Sequence, residues 1–395
     1  MAPLAFDTYE HLILPRSSLA PIQQQWHNPT TILAVLSVIG GDIIHRATAQ
    51  LGGNPYYIAP VTLSFGWTGF LLSFILALVG DGRATPRPDT NCTVVDVQTR
   101  ATSPNKSWVL GRLVRDHTKH ITTGLNITFY NTVPKKQGVP RVDWVYHAGF
   151  MVMLLQLLLS LIPGIVFNDW NILIVTIWGL LLGLAFGALP QWKKEKWSCS
   201  TQDGSSVVCF VRGKDVMVII SEGVGHLRLM DLATSEGAPL ARGTLVISAL
   251  LALLQMGRLL TVAGLHDHAW FSLAITCIGT VYNCIAAGAR RDCSTTGIHL
   301  EPIGKRPGIF GQDPIEVLKM AEKQVQYVGI ALLPVVFSGI LPQECQEWRD
   351  RKLANYNKGS STMSNKSQWS MSTLTLDVTS RDSEDSEKPL MSASK

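Results

Sequence analysis

The stretch VYHAGFMVMLLQLLLSLIPGIVFNDWNILIVTIWGLLLGLAFGAL, residues 145–189, decides the class of protein to which this chain belongs. Its two apolar runs, 145–166 and 172–189, contain no Asp, Glu, Lys or Arg, and the short polar segment FNDWN separates them. About 20 mostly apolar residues in helical form cross the hydrocarbon core of a bilayer. The stretch therefore predicts two membrane-spanning helices joined by a tight turn.

The rest of the chain repeats this alternation of apolar and polar blocks. Hydrophobic residues make up 46% of it and charged residues 16%, against about 25% charged in typical soluble domains. Residues 60–79 and 270–288 are uncharged, and 244–265 carries only Arg258. Residues 30–50 form a weaker candidate, which we accept because an even number of spans makes the charge distribution consistent. The sequence thus predicts about six transmembrane helices.

Residues 325–341 form a seventh candidate, which we reject because Pro334 interrupts a run of minimal length. Asp313, Pro314 and Glu316 are an N-cap, a first-turn proline and a capping-box acid. We therefore expect DPIEVLKMAEKQVQYVGIALL to form one amphipathic helix whose apolar end lies on the membrane surface. The alternative, a seventh span, would place the C-terminal tail on the other side of the membrane.

Lysine and arginine near the ends of the spans predict the orientation, because cytoplasmic loops are enriched in both. The short connections 167–171 and 266–269 contain neither residue. Both long loops, and the segment after the last span, are basic. We therefore expect both termini and both long loops to be cytoplasmic, in an endoplasmic reticulum or plasma membrane. The basic residues are Arg83, Arg87, Lys135, Lys136, Arg141, Lys193, Lys194, Lys196, Arg242, Arg290 and Arg291.

The predicted fold class is an all-α membrane bundle of about six transmembrane helices in three hairpins, with small α+β cytoplasmic loops and a disordered C-terminal tail. Strand-like runs at 92–97, 126–131 and 207–220 and an amphipathic helix within 107–120 predict those loops. The predicted parts are a cytoplasmic N-terminus (1–29), hairpins at 30–79, 145–189 and 244–288, cytoplasmic loops at 80–144 and 190–243, a cytoplasmic segment with the amphipathic helix (289–352) and a disordered tail (353–395).

Motifs for catalysis or cofactors are missing. The chain has no H-E-x-x-H, no G-x-S-x-G and no phosphate-binding glycine loop. Its seven cysteines form no C-x-x-C pair and, being odd in number, no complete disulfide framework. No basic stripe interleaved with aromatics indicates nucleic acid. We therefore expect no cofactor, no metal and no nucleic-acid partner, and the sequence assigns no catalytic residue.

Charged residues inside the predicted spans are the candidate site, because such residues are costly there and are usually paired or functional. Asp42 and Arg258 both lie roughly 18–21 Å deep at 1.5 Å per residue, which predicts an ion pair. A metal site built from Asp42 and nearby histidines is an alternative, and the ion pair is favoured. The full predicted polar cluster is Asp42, His45, Arg46, Arg258, His266 and His268.

A ridge of small residues predicts close helix packing. Gly179, Gly183 and Gly187 recur every four residues, and such a ridge lets two helices approach closely in lipid. Residues 69–77 offer a matching set of small side chains. We expect packing within the chain, with a dimer face as the alternative.

Several strings carry a family resemblance: NPTTILAVLSVIGGDIIHRATAQLGG, SFGWTGFLLSFILALVGDGR, KSWVLGRLVRD, GALPQWKKEKW and DPIEVLKMAEKQ. Together they resemble a family of multi-pass membrane proteins of filamentous fungi over roughly residues 28–342. The resemblance implies a fungal source and a common fold, and it implies no catalytic residue.

Three functions remain open. The first is a non-enzymatic protein that organises or regulates partners at its cytoplasmic face, favoured because most of the polar chain lies there. The second is a transporter of a small metabolite, and the third is a membrane-embedded enzyme built on the polar cluster. Besides the lipid bilayer, the expected partner is a cytoplasmic protein. The sequence does not predict the oligomeric state.

Overall fold

The computed structural model describes residues 29–54, 56–118, 123–133, 137–234, 239–241, 243–265, 267–304, 308–337 and 342–362. The helices are α1 (Thr30–Leu36), α2 (Gly41–Leu51), α3 (Trp67–Gly80), α4 (Trp108–His117), α5 (Trp144–Phe167), α6 (Asn171–Gly187), α7 (Pro190–Lys196), α8 (Leu229–Thr234), α9 (Thr244–Ala263), α10 (Ala269–Gly288), α11 (Pro314–Gln324), α12 (Val328–Val336) and α13 (Gln343–Thr362). The strands are β1 (Thr93–Asp96), β2 (Thr102–Pro104), β3 (Leu125–Thr132), β4 (Thr201–Arg212), β5 (Asp215–Leu227), β6 (Leu300–Pro302) and β7 (Gly308–Gly311).

Within the described residues, four helices are long and apolar enough to cross a membrane: α5, α6 with its continuation into α7, α9 and α10. They coincide with the predicted spans at 145–166, 172–189, 244–265 and 270–288. Large apolar side chains such as Leu154 of α5 and Leu253 of α9 are exposed on their outer faces. Contiguous exposed apolar surface of this kind suits lipid and not water.

The predicted all-α bundle of six spans in three hairpins is wrong. The chain folds a seven-stranded mixed sheet, and the described part of residues 30–79 contains no helical hairpin. That region forms α1, α2 and α3, of 7, 11 and 14 residues. Gly40 breaks the first candidate with a φ of 91°, and residues 58–66 are not helical. Hydropathy alone does not separate a buried extended segment from a helix, and this ambiguity caused the error.

The sheet has the order β2-β1-β4-β5-β3-β6, with β7 also paired to β3. β4 and β5 form the predicted antiparallel hairpin, and β3 joins β5 in parallel with Phe129 opposite Val218. The strands predicted at 92–97 and 126–131 are confirmed as β1 and β3. Because the strands come from all three long polar segments, those segments meet at one end of the helical bundle, which we call the sheet end. The opposite end, where α5 is followed by α6 and α9 is followed by α10, is the far end.

Residues 314–336 form two helices and not the single amphipathic helix that the sequence predicted. Tyr327 has a φ of 69° between α11 and α12, and the Glu322 carboxylate accepts hydrogen bonds from the backbone N–H of Tyr327 (2.9 Å) and Ile330 (3.2 Å). The predicted N-cap is confirmed, because Asp313 accepts from the N–H of Ile315 at 2.9 Å. The apolar residues of α12 are buried against β1 and β4, so they do not lie on a membrane surface.

A buried arginine cluster attaches the sheet end of α10 to α4. The Arg112 guanidinium, with no exposed side-chain surface, donates to the carbonyls of Ala287 (2.8 Å) and Ala289 (2.7 Å). It also pairs with Asp89 at 2.9 Å and Asp116 at 3.3 Å. Burial lowers the pKa of Arg112, while the two aspartates favour its charged form. Cations at a helix C-terminus also satisfy carbonyls that lack helical partners. The predicted amphipathic helix within 107–120 is therefore packed inside the protein.

The chain divides into two compact units, and the second is Gly339–Lys395. Its described part is the polar helix α13. Residues 353–362, predicted to be disordered, lie in this helix. The remainder of the predicted tail, 363–395, lies outside the described residues, as do residues 1–28 of the predicted N-terminus.

The break between α1 and α2 packs against the start of α3 through glycines. The backbone N–H groups of Gly66 and Thr68 donate to the carbonyls of Leu36 (3.1 Å) and Ser37 (3.0 Å). A Cβ at Gly41 would lie 2.5 Å from the backbone nitrogen of Phe70, and a Cβ at Gly69 would overlap the carbonyl of Val38. The break in the first helix thus supplies the acceptors that the N-terminus of α3 requires.

Replacing Gly69 with alanine is expected to destabilise the protein by about 1–3 kcal/mol, because the added methyl group meets backbone that cannot move away cheaply. The matched control is Gly80→Ala in the same helix, where nothing lies within 4 Å of the added Cβ. That variant should be neutral or stabilised by about 0.5–1 kcal/mol. Thermal unfolding of both purified variants in detergent measures the difference. Equal transition temperatures would contradict the packing described.

Candidate functional site

An extended segment, residues 59–65, runs through the interior of the helical bundle. Ala59, Val61 and Thr62 have no exposed surface, and Leu63 is 3% exposed. The segment belongs neither to a helix nor to the sheet. Its backbone N–H and C=O groups are strong hydrogen-bonding groups that need partners when buried. Side chains of the surrounding helices supply several of them.

Gln156 of α5 forms hydrogen bonds with the middle of the segment. Its Oε1 accepts from the Leu63 N–H at 3.3 Å, and its Nε2 donates to the Leu63 carbonyl at 2.7 Å. The same Nε2 also donates to the carbonyl of Ile275 in α10 at 2.8 Å. Gln156 has no exposed surface. One amide therefore binds the segment and bridges two helices.

Asn283 of α10 forms hydrogen bonds with the residues of the segment on either side of Leu63. Its Oδ1 accepts from the Thr62 N–H at 3.4 Å, and its Nδ2 donates to the Thr62 carbonyl at 3.1 Å and to the Ser64 hydroxyl at 2.8 Å. Thr280, on the same helix, accepts from the Phe65 N–H at 3.0 Å. The side chains of α10 thus make hydrogen bonds to the segment that a neighbouring β-strand would make in a sheet.

The segment packs against the predicted glycine ridge of α6. A Cβ at Gly179 would lie 2.7 Å from Leu63 Cδ1, and one at Gly183 would lie 3.0 Å from the Val61 carbonyl oxygen. At Gly187 the added atom would overlap the side chain of Ala59. The ridge therefore packs within the chain, against extended backbone.

A cavity lies at the far tip of the segment, where Ser64 and Phe65 meet α1, α6, α9 and α10. Its volume is about 30 Å³, which leaves room for roughly two water-sized groups. Its polar lining consists mainly of hydroxyl groups and one guanidinium. These residues are Ser37, Ser64, Thr176, Arg258, Ser272 and Thr276.

Arg258 is the charge of this cavity and is only 5% exposed. Its Nε donates to Gln255 Oε1 at 3.0 Å, and no described carboxylate lies within 4.0 Å of it. The Nε2 of Gln255 is buried and lacks an acceptor among the described residues. Gly179 makes room for the arginine, since a Cβ there would lie 3.4 Å from Arg258 Cδ. The hydroxyl groups of Ser37, Thr176 and Thr276 already donate to backbone carbonyls, so the guanidinium is the group of this cavity that favours a small anion.

The other members of the predicted polar cluster lie elsewhere. Asp42 pairs with Arg46 at 2.9 Å, and Arg46 also reaches Asp89 at 3.3 Å. His45 Nε2 lies 2.6 Å from the carbonyl oxygen of Ala84. The pair Asp42–Arg46 lies within α2, whereas Asp89 and Ala84 belong to the loop that follows α3, at the sheet end. Arg258 lies near the far end of α9, so the structure does not bring Asp42 and Arg258 together.

His268 of the predicted far turn contacts residues other than Arg258. His268 Nδ1 lies 3.4 Å from Asp169, and its ring stacks on Phe167 with centroids 4.2 Å apart. His266 lies outside the described residues. The predicted ion pair assumed that residues 30–50 run from the cytoplasmic side outward. In fact α2 ends at the sheet end, where the carbonyl of Gly52 accepts from Lys196.

Sequence reasoning missed Gln156, Asn283 and Gln255. A signal for them exists, because each is a carboxamide within a long apolar run, where such side chains usually form hydrogen bonds between helices. The search for charged residues passed over these neutral groups.

Comparison with protein-family models, curated proteins and solved structures gives no match to this chain. The resemblance to multi-pass membrane proteins of filamentous fungi is not tested by these comparisons and stays a prediction. The site is therefore interpreted from its own geometry.

Gln156→Leu is expected to reduce stability, because the apolar side chain leaves the Leu63 N–H and C=O without partners at about 1–3 kcal/mol for each group. The control is Leu154→Ala, a truncation of a 52% exposed side chain on the same helix. Thermal unfolding and the monodisperse fraction in size-exclusion chromatography measure both. A Gln156→Leu variant as stable as the control would show that the amide does not support the segment.

Proposed function

We propose that this protein is a multi-pass integral membrane protein that binds a small anion at Arg258 and carries it across the bilayer. The supporting observation is a buried guanidinium that faces a hydroxyl-lined cavity with no described carboxylate beside it. A charge within a membrane span is costly, by roughly 2.5–3.5 kcal/mol at the helix centre on insertion scales, so such residues commonly mark substrate or ion pathways. An anion of the size of a halide fits the cavity volume.

The extended segment supports the same proposal. Irregular backbone at membrane depth is tolerated only where it is buried in protein or lines a cavity, and it is common in the binding sites of channels and transporters. Residues 59–65 enter from the sheet end, because Ala59 lies against Gly187 and Leu63 against Gly179 further along α6. α3 then returns, and the carbonyl of Ala84 after it contacts His45. Together they form a re-entrant element whose tip lines the anion cavity.

The topology that we propose places the sheet end in the cytoplasm, because the basic loops are there. α5–α6 and α9–α10 form two spanning hairpins, and α1 with α2 forms one crossing in two pieces. Leu33 of α1 clusters with Val175, Val262 and Ala269 at the far end. Pro29 then lies on the side opposite the sheet, which differs from the expectation that both termini are cytoplasmic.

The other two functions from the sequence have weaker support. The organisation of a protein partner at the cytoplasmic face stays a prediction for the seven-stranded sheet. The enzyme built on the six-residue polar cluster loses its geometric basis, since the described members lie in three separate places. The transporter is the alternative that the geometry favours.

Arg258→Gln is expected to lower anion flux into proteoliposomes by about tenfold or more, the equivalent of one lost charge-assisted hydrogen bond. Radiolabelled or fluorescence-detected chloride, acetate and phosphate are the probes, with empty liposomes as background. Arg258→Lys should keep part of the flux because it keeps the charge. Gly179→Ala should reduce flux, because the added methyl group would displace the Leu63 side chain that lines the cavity and would crowd Arg258.

The matched control is Arg228→Gln, which removes the same charge from an exposed surface pair with Asp231 at 3.6 Å. It should transport like the wild type. Flux that no Arg258 variant changes, or no flux and no anion-dependent thermal stabilisation of the wild type, would refute the proposal.

Cysteine labelling in sealed microsomes, whose cytoplasmic face is outward, tests the topology. An impermeant maleimide should label Asp203→Cys in the β4–β5 region at once and Asp267→Cys only after the vesicles are opened, since both positions are exposed but lie at opposite ends. The native cysteines provide the background, measured on the unaltered protein. Labelling of Asp267→Cys in sealed vesicles would contradict the proposal that the far end lies on the side of the membrane opposite the cytoplasm.

A further inference from the structure

Three side chains with metal-ligating atoms meet at the sheet end, away from the Arg258 cavity. His117 is the last residue of α4, and Asp292 and Cys293 begin the short 3-10 helix Cys293–Thr296 that follows α10. One imidazole nitrogen, the thiol sulfur and one carboxylate oxygen all lie within 4.8 Å of one another. The three residues come from parts of the chain that the sequence alone does not connect.

The geometry within this group is already close to that of a coordination site. Cys293 Sγ lies 3.4 Å from Asp292 Oδ1. The second carboxylate oxygen of Asp292 accepts from the Ser294 hydroxyl at 2.8 Å, which fixes the orientation of the carboxylate. Zinc with tetrahedral bonds to sulfur, nitrogen and oxygen holds its ligand atoms roughly 3.3–3.8 Å apart. The sulfur and oxygen therefore already have the required separation, and the imidazole needs to approach by about 1 Å.

His117 is held by a second contact of the kind that metal-bound histidines use. Its Nδ1 lies 3.1 Å from the carbonyl oxygen of Leu113. When Nδ1 donates this hydrogen bond, the ring carries its lone pair on Nε2. Backbone carbonyls that orient a histidine in this way are common behind zinc ligands, where they fix the tautomer and raise the basicity of the ring.

We propose that His117, Asp292 and Cys293 form a zinc site. The combination of thiolate, imidazole and carboxylate suits zinc better than magnesium or calcium, which take oxygen ligands. Asp292 and Cys293 line an open cleft of about 570 Å³. The fourth position of the ion is therefore available to water from the cleft. Binding replaces the Sγ–H···Oδ1 hydrogen bond by two metal bonds and releases the thiol proton to solvent.

The site would strengthen a connection that the arginine cluster already makes. Arg112 binds the carbonyls at the end of α10, and His117 lies on the same helix five positions later in the sequence. Zinc would cross-link α4 to the segment that leaves α10. This proposal is independent of the anion proposal, since the two sites share no residue.

Metal analysis of the full-length protein, purified in detergent without chelators, tests the site. We expect about one zinc ion per chain in the wild type and its loss in His117→Gln and Cys293→Ser. Cys199→Ser, which changes a partly exposed cysteine elsewhere at the sheet end, is the control and should keep the metal. Zinc retained by both ligand variants, or no stoichiometric metal in the wild type, would overturn the proposal.

A second measurement needs no ligand variant and so avoids loss of folding. Cobalt added to chelator-treated wild-type protein should give a near-ultraviolet sulfur-to-cobalt band that saturates at about one ion per chain. The chelator should also lower the thermal transition of the wild type, and zinc should restore it. A cobalt-treated protein without this band would overturn the proposal, because Cys293 would then not be a ligand.

Discussion

The structure depends on how the backbone of residues 59–65 is satisfied inside an apolar bundle. A buried peptide group without a partner costs about 1–3 kcal/mol, and the net stability of a typical domain is only about 5–15 kcal/mol. A few such groups would therefore unfold the bundle. Gln156 and Asn283 remove that cost by accepting from and donating to successive residues of the segment. The glycines of α6 are a consequence, because only a surface without side chains lets α6 lie directly against extended backbone.

Buried charges connect α4 to the sheet end of the bundle. Arg112 contacts two aspartates and two carbonyls at the end of α10, and Arg115 donates to the carbonyl of Gly288 between them at 2.9 Å. Removing one partner of a buried ion pair typically costs about 3–5 kcal/mol, since the remaining charge stays buried. The end of α10 is therefore held against α4. Because α10 also carries Asn283 and Thr280, this contact helps to position the extended segment that these side chains bind.

The sequence predicted the elements whose signal is local. Long apolar runs predicted α5, α6, α9 and α10, and alternating β-branched residues predicted β1, β3 and the β4–β5 hairpin. It did not predict the parts that depend on tertiary partners. Residues 60–66 have the hydropathy of a span, yet amides distant in sequence hold them extended. In the same way Val328–Val336 is apolar enough for a membrane surface, and the sheet buries it. The sequence identified Arg258 as a candidate because of its charge. It did not identify Gln255, which accepts a hydrogen bond from Arg258.

Two buried arginines of this chain show why Arg258 is interpreted as a binding residue. Arg112 and Arg258 are both almost completely removed from solvent. Arg112 has carboxylates and carbonyls around it, as a structural arginine requires. Arg258 has one neutral amide, whose own donor lacks an acceptor among the described residues. An acceptor that enters the cavity beside such a charge would stabilise it. The two arginines differ in their partners and not in their burial, and this difference supports the proposed anion at Arg258.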